Sequence, residues 1–90
     1  MPDLRQNAAR HRYEFETEAG PALAVYRLND GVMTITHTEV PATLRGRGIG
    51  SAMMRAVLDD VRMQGLKVIA ACPFAADYMA RHDDFADLQA

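Results

Sequence analysis

The hydrophobic pattern of this chain changes period near its middle, and the change falls on a run of glycine and arginine. Between residues 11 and 39 apolar and polar side chains alternate, whereas Gly50, Met53, Met54, Val57, Leu58 and Val61 recur at helical spacing. Alternation belongs to half-buried strands, and spacing near 3.6 belongs to an amphipathic helix. Between the two stands Arg45-Gly46-Arg47-Gly48-Ile49-Gly50. Glycine loses more backbone freedom on folding than any other residue. Three in such a short run mark a backbone that bends sharply or is approached closely.

The strands can be placed individually. His11–Thr17 sets Tyr13 and Phe15 on one face against Arg12, Glu14 and Glu16. Ala19-Gly20-Pro21 reads as a turn, Ala22–Leu28 as a second strand, and Asn29-Asp30-Gly31 as a hairpin turn. Val32–Glu39 is the third strand, with His37 on the face of Met33 and Ile35. Short turns between these strands imply an antiparallel meander. The helix that follows carries Arg55 and Asp59 on its wet side, spaced to pair, and Gly65 caps its end. Lys67–Cys72 reads as a fourth strand, and Pro73 opens a second helix running to about His82. A strand, helix and strand in succession make parallel neighbours with a right-handed crossover. The expected fold class is therefore α/β on a mixed sheet: a flexible lead-in over residues 1–9, then one domain over 10–90. The tail after Asp83 reads as solvated acidic surface.

Composition narrows the function. A net charge of −2 gives no global field toward nucleic acid or anionic membrane, and 49% apolar residues are those of a folded domain. Cys72, the single cysteine, excludes an internal disulfide and suits a reducing compartment. Met1–Arg12 has no apolar run, so the expected location is cytoplasmic. A monomer or weak homodimer is expected, without a metal centre.

A helix start offers unpaired N–H groups and partial positive charge, which suit an anion. Arg45 and Arg47 add charge beside them. A P-loop would need a lysine after Gly50, and a dinucleotide fingerprint fails at Ser51 and lacks its acid near Val68–Ala71. The pattern Arg/Gln-x-x-Gly-x-Gly/Ala is met by Arg45, Gly48 and Gly50. The competing reading is a tight turn that only lets helix and sheet pack.

That pattern resembles the acyl-coenzyme A pyrophosphate loop of the GNAT acetyltransferase superfamily. The chain is similar to its small single-domain members through His37-Thr38-Glu39-Val40-Pro41, Arg45-Gly46-Arg47-Gly48-Ile49, Cys72-Pro73-Phe74, and Tyr78 with His82. The resemblance implies acetyl-CoA as cosubstrate, its pyrophosphate on Arg45, Gly46, Arg47, Gly48, Ile49, Gly50 and Ser51. The pantetheine arm would then lie along Thr38 to Val40, between two splayed parallel strands. The extra helices and strands that shape an acceptor pocket in larger members are missing, so the acceptor stays open between an amine and a thiol.

Cys72, His37, Glu39 and Tyr78 are expected to converge near the thioester. Cys72 is a nucleophile or a small buried hydrophobe. His37 is a base or a half-buried strand histidine, and Glu39 is a base or a partner of Arg45. Tyr78 is a proton donor or a core ring. The alternative to an acetyltransferase is a non-catalytic acyl-CoA-binding module or sensor.

Overall fold

In the computed structural model, which describes residues 3–90, the alternating segments become strands of a single sheet. The strands are β1 (Leu4–Asn7), β2 (Arg12–Phe15), β3 (Ala22–Asn29), β4 (Val32–Glu39) and β5 (Lys67–Ala70), side by side in chain order. The first four are antiparallel, and β4 pairs with β5 in parallel. The crossover between β4 and β5 is helix α1 (Ile49–Met63), and α2 (Pro73–Arg81) follows β5.

Leu4–Asn7 corrects the expected flexible lead-in. Leu4 pairs with Phe15 and Gln6 with Tyr13, so this polar segment is an edge strand. It shows no apolar alternation because its side chains bond laterally, as in Gln6 Nε2 to Tyr26 Oη at 2.9 Å. Met1 and Pro2, also assigned to that lead-in, lie outside the described residues.

Helix α1 buries the stripe its spacing marks: Met53, Met54, Val57, Leu58 and Val61 are all fully buried. They pack on Tyr13, Ala24, Tyr26, Met33, Ile35 and Val68 of the sheet, with Ala75, Tyr78 and Met79 of α2 closing the core. Each large apolar side chain removed from water contributes about 1.5–3 kcal/mol, so this face holds the helix in place. The helix ends as Gly65 takes φ +73°. The Gly65 and Leu66 N–H groups then donate to Arg62 O and Val61 O, both at 3.1 Å. A left-handed glycine with these two bonds satisfies the last carbonyls.

Two surface expectations change. Arg55 reaches Asp84 at 3.1 Å instead of pairing with Asp59. The segment Asp83–Leu88 is a 3-10 helix whose Phe85 and Leu88 are buried in the core. Asp84 pairs with Arg55 and Asp87 with Arg62, while Phe85 and Leu88 turn inward. A period of three over six residues is too short to show in the sequence.

A β-bulge then shapes β4. Val25 faces His37 and Tyr26 faces Ile35, leaving Thr36 as an extra residue. A bulge reverses which side later residues face. Ile35 is therefore fully buried, while the His37 side chain is 57% exposed. The shared face expected for His37, Met33 and Ile35 does not exist.

The same point ends the parallel ladder. Its last pair is Ile35 with Ala70, and the Ala71 and Cys72 N–H groups both donate to Ile35 O, at 2.9 and 3.1 Å. Beyond it Thr36–Glu39 continues without a β5 partner, so the strands part. Strand β5 thus stops at Ala70, short of the expected Cys72, which instead caps α2. Among the described residues, no helix is long and apolar enough to cross a membrane.

Candidate functional site

The chain between β4 and α1 is pinned by a 3-10 turn at Ala42–Leu44, where Leu44 is buried. Arg45 N–H donates to Ala42 O and Arg47 N–H to Leu44 O at 3.3 Å, which closes the turn. Gly46 at φ +83° and Gly48 at φ +78° then carry the chain through conformations unfavourable to other residues. Gly48 is the N-cap of α1 and has no side chain to cap with. The first helical bond runs from Ala52 N–H to Gly48 O at 3.0 Å. The N–H groups of Gly46, Gly48, Ile49, Gly50 and Ser51 have no intramolecular acceptor among the described residues. Several donors converge there at the positive end of a helix dipole.

These amides open into a cleft of about 660 Å³. One wall is the parted half of β4, from His37 to Val40; the other is Leu44, Arg45 and the start of α1, with Phe74 of α2 completing it. Small-molecule sites commonly occupy ~300–1,000 Å³, so the volume suits a ligand of cofactor size. The donor set fits coenzyme A: bare amides and Arg45 for a diphosphate, and an unpaired strand segment for an amide-bearing arm.

Inside the cleft, His37 Nε2 lies 2.8 Å from Glu39 Oε2. Glu39 therefore pairs with His37 and not with Arg45. Thr38 and Val40, on the opposite side of β4, are half-buried and line the same cleft.

Three expected site residues lie elsewhere. Arg47 turns out of the cleft toward Glu18, at 3.8 Å, because its flanking positive-φ glycines reverse the chain on either side of it. Cys72 is buried, and its Sγ accepts the Ala75 N–H at 3.4 Å as the N-cap of α2. Tyr78 is buried with its ring stacked on His82, centroids 3.9 Å apart, so it belongs to the core. Of the four expected to converge, His37 and Glu39 line the cleft, and Cys72 and Tyr78 do not.

Two lining residues, Leu44 and Phe74, were missed as site residues. Leu44 gives no signal, being one apolar residue in a turn. Phe74 does: an aromatic beside the helix-opening Pro73 has no helical stripe to join.

The strongly shifted side chains stand away from the cleft. Burial pushes the Tyr13 hydroxyl well up, helped by its donation to Asp60 Oδ2 at 2.6 Å. Arg5, Asn7 and Arg12 hold Glu14 down to about 2. Both groups tie the sheet together: Tyr13 joins β2 to α1, and Glu14 joins β1 to β2.

The profile of the GCN5-related N-acetyltransferase family matches residues 12–88, from β2 to the end of the 3-10 tail. The NMR solution structure of a GCN5-like protein from Staphylococcus aureus superposes with a TM-score of 0.74 and 27% identity. That likeness covers 100% of this chain and 91% of the other. A bulged strand, a glycine-rich helix start and parted parallel strands occur together in a chain matched over nearly its whole length, and the protein belongs to the GCN5-related N-acetyltransferase family.

Proposed function

We propose that this protein transfers the acetyl group of acetyl-CoA directly to an amine, with His37 as general base. The observation that carries the reading is one cleft joining the unbonded amides of Gly48–Ser51 to the His37–Glu39 pair. Bound acetyl-CoA would supply an electrophilic thioester carbon and a thiolate leaving group. Arg45 and the amides of Gly46 and Gly48–Ser51 hold the diphosphate, and the free edge of Thr38–Val40 receives the arm as an added strand would.

With Glu39 accepting from Nε2–H, the lone pair of His37 lies on Nδ1 and can take a proton from the amine. A bond forms between the amine nitrogen and the acetyl carbon as the carbon–sulfur bond breaks. The thiolate takes its proton from solvent. Glu39 keeps the ring in the useful tautomer and is a positioning residue. Direct transfer is favoured over an acetyl-cysteine because the Cys72 thiol is buried and occupied as a cap. We also propose a cytoplasmic location, which the lone cysteine suits, and a monomer or weak homodimer.

A non-catalytic acyl-CoA sensor is the second reading, favoured by the exposure of His37 and Glu39, with side chains 57% and 60% accessible. Calorimetric titration with acetyl-CoA tests the shared half, and thiol release with an amine panel separates the two. Binding with turnover that survives Cys72→Ala is expected. Binding without turnover on any amine favours the sensor, and no binding at millimolar acetyl-CoA removes both.

A further inference from the structure

The third glycine of the loop is used differently from the first two. Gly46 and Gly48 have positive φ and open space where a Cβ would stand. Gly50 has neither. It lies in the first turn of α1, where a Cβ would come 2.9 Å from Phe74 Cζ and 3.4 Å from Cε1 and Cε2. The Phe74 ring is pressed end-on against the bare backbone of residue 50. It is still 39% exposed, an unusual share for a phenylalanine, and the exposed part faces the cleft. A half-open aromatic in a cleft is a contact surface for a ligand.

We infer that Phe74, seated on Gly50, is the apolar wall against which the pantetheine arm packs. Residue 50 is glycine to seat that ring, not to let phosphate approach. The inference rests on the coenzyme A reading of the cleft. The arm leaves the diphosphate near Gly48–Ser51 and must pass between β4 and α2, and among the described residues Phe74 is the one phenylalanine, tyrosine or tryptophan lining that cleft. A ring pushed off its seat by a methyl group would narrow the passage or lose contact with the arm, while the amides and Arg45 kept their places.

The test uses the full chain, two probes and a double-mutant cycle. Coenzyme A carries diphosphate and arm, whereas adenosine 3′-phosphate 5′-diphosphate carries the diphosphate alone. Calorimetry on Gly50→Ala, Phe74→Ala and the double variant is expected to show about tenfold weaker coenzyme A binding in each, as for loss of a partly buried aromatic contact. The losses should not multiply in the double variant, because both changes break one contact. Binding of the arm-less probe should stay within about twofold throughout. Alanine favours a helix over glycine, so Gly50→Ala should melt no lower than wild type, separating its binding loss from misfolding. Equal weakening of both probes by Gly50→Ala, unchanged coenzyme A binding in Phe74→Ala, or multiplying losses would overturn the inference. Wild-type protein that binds neither probe would instead remove the cofactor reading beneath it.

Discussion

His37 Nε2 and Glu39 Oε2 lie 2.8 Å apart on one strand, two positions from each other and both on the side facing away from the core. Side chains so spaced share a face of a strand, so the pair needs no other element to assemble it. Replacing His37 by alanine is expected to lower kcat by about 10²–10⁴, the range for a lost general base. Glu39→Ala should cost less, since it removes the orienting acceptor and leaves the base. Calorimetric affinity for acetyl-CoA should hardly change in either. Undiminished turnover in His37→Ala would sink the assignment.

The two loop arginines should behave differently. Arg45 lines the cleft, and a charged hydrogen bond to phosphate contributes about 1.5–3 kcal/mol. Arg45→Ala should therefore weaken coenzyme A binding at least tenfold, and added salt should narrow its gap from wild type. Arg47→Ala, altering a side chain that faces Glu18, should change affinity little. Equal losses would show that Arg47 swings back to the ligand.

Stability should depend on acid through Glu14. Its folded pKa of about 2 lies below the ordinary 4.5 because Arg5, Asn7 and Arg12 all bond to the charged form. The unfolded chain binds the proton first, so the stabilisation is fully present above about pH 4.5 and is lost as pH falls toward 2. Glu14→Gln should be less stable than wild type at neutral pH in urea unfolding. The gap should close at the acid end. A gap of constant size would mean the pairs contribute nothing through charge.

Phe85→Ala tests the 3-10 tail. The ring is fully buried, with the Arg55 and Arg62 guanidinium groups 5.1 and 5.2 Å from its centroid. Loss of a buried phenylalanine costs about 3–5 kcal/mol, a large share of the ~5–15 kcal/mol that holds a domain. Asp87→Ala removes only an exposed ion pair with Arg62 and should cost less than about 1 kcal/mol. Urea unfolding of both variants checks the contrast.

The meander, the crossover helix and the glycine turn that opens that helix were legible because each rests on local pattern. Met53 to Val61 repeat over more than two turns, and Gly46 and Gly48 announce the positive φ they adopt. What stayed hidden depends on partners far along the chain. Leu4–Asn7 is a strand only because β2 lies beside it, and Phe85 is a core residue only because α1 and α2 leave room for it. In the candidate site, His37 and Glu39 line the cleft because they end the strand beside the glycine turn, an order visible in the chain. Cys72 and Tyr78 were misplaced because chain distance says nothing about which way a helix start presents its side chains. Phe74 escaped because its meaning lies in a contact with Gly50, 24 positions earlier.

Thr36 shows how the outward pair is set up. One residue of extra length, not any property of threonine, turns His37 from the interior to the open side. Substituting Thr36 would leave that arrangement standing. Deleting it would set His37 directly after Ile35, so plain alternation would remove the bulge and still leave the imidazole outward opposite Val25. The orientation of the pair is thus written in its register against β3, with Val25 opposite His37 and Leu23 opposite Glu39, which a scan of side-chain replacements would pass over.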